Sequence, residues 1–259
     1  MYSRTNHFWR IIATGIGFCA FGLGGLILRC IVFPIIGLFI RDREKKKYAS
    51  RNAIRIAFKM FIWLIYTLGV MRYKVTGGER LHRKGLLIVS NHPSLIDTIF
   101  LMILTKDTNC IVKSSLTKNP FILGPVNAAC YIKNSDTVDL ISDSIHALQS
   151  GENLIIFPEG TRTPEDGIVR FKRGAANIAI RGQRNITPIF IHCKPRMLGK
   201  DKKWWQIPSL QSEYLIEIKE DIDVSSFIEN SKNDVLAVRA LTKHLQHYFD
   251  KGNEENAFT

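Results

Sequence analysis

A chain of 259 residues can bury a sizeable core in one large domain or two small ones, and a formal charge of +13 with a pI near 9.6 calls for an acidic partner. That partner could be nucleic acid, anionic headgroups or a phosphorylated substrate. The five cysteines (Cys19, Cys30, Cys110, Cys130, Cys193) are odd in number and form no C-x-x-C pair, which argues against a zinc ribbon or a disulfide framework and fits a reducing cytoplasmic setting.

The first element read along the chain is apolar. From Ile11 to Ile40 the only charge is Arg29, and about 20 apolar residues suffice to cross a bilayer core. The stretch is long for a cleavable signal and no small-residue cleavage site follows it. "GIGFCA" (15–20) loosely matches a dinucleotide fingerprint, but no strand precedes it, so it reads as small residues in a membrane helix. The cation-rich loop "RDREKKKYASR" (41–51) suits a cytoplasmic membrane face. A second helical pattern runs from Ala53 to Met71, with Trp63 and Tyr66 suited to an interface. Two arrangements stay open: a hairpin spanning the membrane, or a helix pair embedded in one leaflet, which Arg29 and Pro34 favour slightly by interrupting a uniform span.

Residues 1–72 therefore form a membrane-associated segment, and residues 73–259 read as an α/β domain. Short runs rich in β-branched residues, "GLLIVSN", "NCIVK", "NLIIFPEG", "ITPIFIHC" and "YLIEIKE", alternate with helical patterns such as "DTVDLISDSIHALQSG" and "RGAANIAIRG". That alternation predicts a mixed, mainly parallel sheet flanked by helices, with ligands beyond the carboxyl ends of the strands. "DVLAVRALTKHLQHYF" reads as an amphipathic helix and "DKGNEENAFT" as a frayed tail.

Two motifs fall at predicted strand ends. After "LLIVS" come Asn91, His92 and Pro93, which suits the first position of a helix, with Asp97 about one turn further on. Such a histidine can donate one ring N–H to Asp97 and offer its other nitrogen to a substrate proton. Seven histidines and twelve aspartates leave about 0.3 chance pairs at any fixed offset, so the pair gains weight only from its position. The second motif, "FPEGTRT" (157–163), follows "NLII" and offers a flexible turn, a hydroxyl, backbone N–H groups and a guanidinium. It suits an anion such as phosphate, or is an ordinary polar turn with Glu159 and Arg162 paired.

Together these blocks resemble the lysophospholipid acyltransferase family, the glycerolipid acyltransferases that include the bacterial 1-acylglycerol-3-phosphate enzymes. "NHPSLID" matches N-H-x-x-x-x-D. "VKSSLTKNPFILGPVNAACYIKN" matches the block with an early lysine, "FPEGTRT" matches F-P-E-G-T-R-S with Thr163 for serine, and "ITPIFIHC" matches the proline-bearing apolar block. The resemblance implies acyl transfer from an acyl-CoA or acyl-carrier-protein thioester to a lipid hydroxyl by direct attack; no "G-x-S-x-G" elbow suggests an acyl-serine. It assigns His92 as general base and Asp97 as its partner. Glu159, Gly160 and Thr161 shape the acceptor pocket, Arg162 holds a phosphate, and Lys113 helps to bind it. No cofactor or metal is implied.

The expected partners are the bilayer, a lysophospholipid and the acyl donor, with the active site on the cytoplasmic face of the membrane. Lys172, Arg173 and Arg181 add to a basic face, and Lys202, Lys203, Trp204 and Trp205 suit an interface. The most economical acceptor is 1-acylglycerol-3-phosphate, giving phosphatidic acid. Glycerol 3-phosphate or a phosphate-free lyso-lipid are alternatives within the same chemistry, and a non-catalytic lipid-binding protein is one outside it. A nucleic-acid binder is disfavoured, because the cations accompany apolar stretches and no recognition module occurs.

Overall fold

The computed structural model describes residues 4–113, 120–134, 137–164 and 169–255. Helix α1 (Arg4–Ile27) runs through a π-helical turn (Leu28–Val32) into α2 (Phe33–Phe39). Pro34 has no N–H to give and its ring would crowd the carbonyl four residues back, and the helix widens just ahead of it rather than breaking. His7–Phe39 is thus one helical run long and apolar enough to cross a membrane. Asp42 caps α3 (Arg43–Thr67) by accepting from the Lys45 N–H at 2.8 Å. The basic stretch expected as a loop is therefore mostly helix, because Glu, Lys and Ala are good helix formers behind a cap.

Among the described residues seven strands follow: β1 (Met71–Thr76), β2 (Leu87–Ser90), β3 (Thr108–Lys113), β4 (Ile132–Asn134), β5 (Asn153–Ile156), β6 (Ile186–Lys194) and β7 (Ser212–Ile218). Their order in the sheet is β1-β7-β6-β2-β5-β3-β4, and every neighbouring pair is parallel except β6 with β7. The predicted mixed, mainly parallel sheet is what forms. The five predicted runs are all strands, and β1 and β4 join them.

The period-2 alternation of the strands divides the core. Ile88 and Ile155 face one cluster, built with α4 (Asp97–Leu104) and with Ala13, Leu28, Ile54, Ile62 and Ile65 of the N-terminal helices. Leu87, Val89, Leu154 and Ile156 face the other, built with α6 (Thr137–Gln149), α7 (Gly174–Gly182), the short α8 (Ser225–Glu229) and α9 (Asp234–Glu255). The N-terminal helices thus share a core with the sheet. Helix α5 (Pro120–Ala128) packs on α1 so closely that a Cβ on Gly25 would lie 2.7 Å from the Phe121 carbonyl oxygen.

Two local expectations are corrected. Helix α4 begins at Asp97, four residues after Pro93, since the intervening residues turn to bring Asp97 back beneath His92. Helix α9 continues through Glu255 instead of fraying after Phe249, because Gly252 lets its last turns close on the Phe190 ring.

Candidate active site

Strands β2, β5 and β6 are parallel neighbours, so the segments that leave their carboxyl ends meet at one edge of the sheet. Asn91 fixes the exit of β2: its amide donates to the Ile191 carbonyl at 2.9 Å and accepts from the Ile191 N–H at 2.8 Å, as a backbone partner on β6 would. His92 follows immediately. Its Nδ1 lies 2.9 Å from Asp97 Oδ2, which also accepts the Ser94 N–H at 2.6 Å. Phe157, leaving β5, stacks on the imidazole at 4.1 Å between centroids and 18° between planes.

Asp97 is completely buried, whereas the His92 side chain keeps 16% of its exposure. Burial pushes the Asp97 carboxyl above its ordinary range, against the pull of His92 and the Ser94 N–H. With Nδ1 turned to the carboxylate, no hydrogen bond from the described residues engages Nε2. Ser94 shares a 2.7 Å hydrogen bond with the buried Tyr214 hydroxyl, which ties the turn to β7.

Glu159 joins the two motifs. Its Oε1 accepts the backbone N–H of His92 and the Thr163 hydroxyl, each at 2.9 Å, and the Thr163 N–H returns to the His92 carbonyl at 2.7 Å. Burial holds its carboxyl above the usual range despite those donors. Gly160 sits at φ +67°, and a Cβ there would lie 2.7 Å from Lys172 Nζ, so the lysine lies across the turn. Arg162 points to the 198–200 loop rather than to Glu159. It donates to the carbonyls of Leu198 (2.9 Å), Gly199 (2.7 Å) and Lys200 (3.2 Å). Arg196 reinforces the same rim by donating to the carbonyls of Thr163 and Pro164.

The structure therefore brings together His92, Asp97, Glu159, Gly160, Thr161 and Arg162. Lys113 ends β3, with its side chain outside the described residues, and residues 114–119 of the lysine-bearing block 112–134 also lie outside them. Tyr214, Arg196 and Phe157 were not singled out by their spacing; only the aromatic residue opening "FPEG" offered a local signal. Cys193 is no candidate nucleophile, since burial pushes its thiol up to about 11. Among the described residues no group of three or more His, Cys, Asp or Glu side chains could hold a metal.

Comparison with known proteins bears on the fold and the family. Residues 72–192 match the family model described as Acyltransferase. The chain is 28% identical over 153 residues to the 1-acyl-sn-glycerol-3-phosphate acyltransferase of Pseudomonas aeruginosa, an alignment covering 57% of this chain and 58% of that protein. It is 31% identical over 147 residues to the human beta form, covering 52% and 51%. The chain thus spans little more than half the length of these relatives. The crystal structure of the 1-acyl-sn-glycerophosphate acyltransferase of Thermotoga maritima superposes with a TM-score of 0.67 at 20% identity, covering 95% of this chain and 98% of that one, which shows a shared fold.

Proposed function

We propose that the chain is an acyltransferase, as the match of residues 72–192 to that family model supports, and that it moves a fatty acyl group from an acyl-CoA or acyl-carrier-protein thioester to the free hydroxyl of 1-acylglycerol-3-phosphate, forming phosphatidic acid. The observation that carries this reading is the His92–Asp97 pair: a fully buried carboxylate 2.9 Å from Nδ1 and a partly exposed ring at a strand end. His92 Nε2 takes the proton of the acceptor hydroxyl as its oxygen attacks the thioester carbonyl. The tetrahedral intermediate then collapses, the carbon–sulfur bond breaks, and the imidazolium returns the proton to the departing thiolate. Asp97 fixes the tautomer and stabilises the imidazolium, while the Phe157 stack and the Glu159 anchor restrict the ring.

Glu159, Gly160, Thr161 and Arg162 form the acceptor side of this site. Arg162 steadies the 198–200 loop and adds a fixed positive charge. Lys172, lying across Gly160, has no ion-pair partner among the described residues and faces the acceptor phosphate, and the family likeness assigns Lys113 to the same phosphate.

The N-terminal helices keep the lipid acceptor at hand from one leaflet of the cytoplasmic face. Support comes from the ties at both ends of α1: Trp9 donates to the Leu68 carbonyl, Arg10 to the carbonyls of Pro208 and Ser209, and Gly25 abuts α5. A helix so tied lies along the domain rather than leaving it to cross the bilayer.

The test is purified protein given both donors against lysophosphatidic acid, glycerol 3-phosphate and a phosphate-free lyso-lipid, with products read by mass spectrometry. Lysophosphatidic acid should be the acceptor used, and acylation of only the phosphate-free lipid would overturn the assignment. Arg162→Ala and Lys172→Ala should each raise the KM for lysophosphatidic acid by about tenfold, with a smaller change for the donor. An unchanged KM in both would mean that the phosphate is held elsewhere.

A further inference from the structure

On the exposed side of α3, far from His92, a cavity of about 190 Å³ is lined by Tyr48, Asn52, Arg55, Lys106 and Asp107. Lys106 and Asp107 precede β3, so the cavity lies beside the amino ends of the parallel strands, the opposite edge from the catalytic pair. Asp107 is committed to Arg51 at 2.8 Å. Arg55 uses only its Nε, on the Ile103 carbonyl at 3.2 Å, and no hydrogen bond or ion pair among the described residues engages its terminal nitrogens, Lys106 Nζ, the Tyr48 hydroxyl or the Asn52 amide. A narrow adjoining cleft shares Arg55 and Asp107 with the cavity and is lined by Arg51. The Arg51 side chain is 3% exposed and its Nη2 is buried without a partner. Cationic and neutral donors thus converge on a space whose one acid is already neutralised, the chemistry of an anion site.

A second observation says what the anion is attached to. The exposed stripe of α3 runs Tyr48, Asn52, Ile56, Met60, Trp63 at helical spacing and changes character midway. Its first two residues line the cavity, while Ile56, Met60 and Trp63 are 49%, 66% and 66% exposed and lead away from it. An amphiphile with an anionic head and an apolar tail fits both halves; a free phosphate fits only the first.

We propose that this cavity is a non-catalytic site for an anionic phospholipid, whose phosphate meets Arg55 and Lys106 and whose chain lies along Ile56, Met60 and Trp63. The proposal rests on the membrane association of the N-terminal helices but not on the acyl-transfer chemistry. It adds a lipid-selective contact to their apolar face and fixes the depth at which α3 sits.

The test uses the full chain in detergent with a photoreactive phosphatidylglycerol, crosslinks being mapped by mass spectrometry. Asn52→Trp fills the cavity without changing charge, and Arg55→Gln with Lys106→Gln removes the two cations that line it without an ion-pair partner among the described residues. Labelling of the Tyr48–Trp63 stretch is expected in the wild type and should fall about tenfold in both variants, through exclusion of the headgroup in Asn52→Trp and through loss of its cationic partners in the other. Photoreactive phosphatidylcholine should label that stretch weakly, and excess inorganic phosphate should compete poorly. Equal labelling by both lipids, undiminished labelling in Asn52→Trp, or efficient competition by phosphate alone would each overturn the proposal. Acyl transfer to lysophosphatidic acid in detergent, measured on the same samples, should be unchanged in the variants. A protein that transfers no acyl group yet is labelled as expected would defeat the enzymatic reading and leave this one standing.

Discussion

At His92 the two ring nitrogens are divided between a buried carboxylate and the open side of the site, and the division sets the expected phenotypes. His92→Ala should lower turnover on the order of 100-fold or more in a protein that still folds, because a general base is lost. Near-normal turnover in a folded His92→Ala protein would sink the mechanism. Asp97→Asn should lower kcat with little change in acceptor KM, since the amide favours the wrong tautomer without touching the acceptor. A pure KM effect would contradict the orienting role.

Glu159 gives a pH-dependent expectation at the same scale. Burial raises its carboxyl above the ordinary range, so the folded state holds that proton more tightly than the unfolded chain does. This contribution to stability is complete below the ordinary carboxylate range and is lost as the pH rises through Glu159's own raised value. Glu159→Gln keeps an oxygen for the His92 N–H and the Thr163 hydroxyl but carries no charge. It should therefore melt higher than wild type at neutral pH, with the gap closing on acidification. Melting curves across that range check it; a gap that widened toward acid would reverse the assigned direction.

Among the elements, α3 is bound to the sheet by a buried ionic cluster. Arg51 reaches Asp107 at 2.8 Å, Glu152 at 2.9 Å and the Ala129 carbonyl at 3.0 Å, and Lys47 reaches Glu152 at 2.7 Å. Removing one member strands the others in a poorly solvated place, so Arg51→Ala should cost about 3 kcal/mol. Calorimetry in detergent should show the lowered Tm, and limited proteolysis should cut more readily between α3 and β1. A variant that melts like the wild type would mean that apolar packing alone holds the helix. The change of α3 from polar to apolar on its exposed stripe belongs to the same scale, and a hydropathy window averages it away.

At the scale of the whole molecule, the N-terminal helices are not an appendage. Ala13, Leu28, Ile54, Ile62 and Ile65 lie in one cluster with Ile88, Ile155 and Ile216 of the sheet, and a boundary after residue 72 would cut into β1. Deletion of residues 1–72 should accordingly yield aggregated, inactive protein rather than a soluble domain released from membranes. Recovery of a monodisperse, active truncation would show that the shared core is dispensable. In an otherwise cysteine-free background, single cysteines at Thr5 and Lys46 should both react with an impermeant maleimide from the same side of sealed vesicles. Labelling from opposite sides would mean a true span.

The sequence by itself determined what local patterns can encode. The strand runs, the apolar N-terminus with its basic sequel, and the short-range pair of His92 and Asp97 are all written within a few residues of one another, where periodicity and spacing carry the signal. What lies far apart in the chain was decided only by the tertiary structure. The Glu159 anchor on the His92 backbone spans 67 positions and the Ser94–Tyr214 bond 120, separations at which no repeat or spacing survives. Arg162 was legible as a cation in a turn, but its donation to the carbonyls of residues 198–200 depends on a loop that packing alone brings near. The N-terminal helices were legible as apolar, yet their burial against the sheet was not, because a lipid-facing and a core-facing helix surface are built from the same side chains. Only the fold decides which part of one apolar surface enters the core.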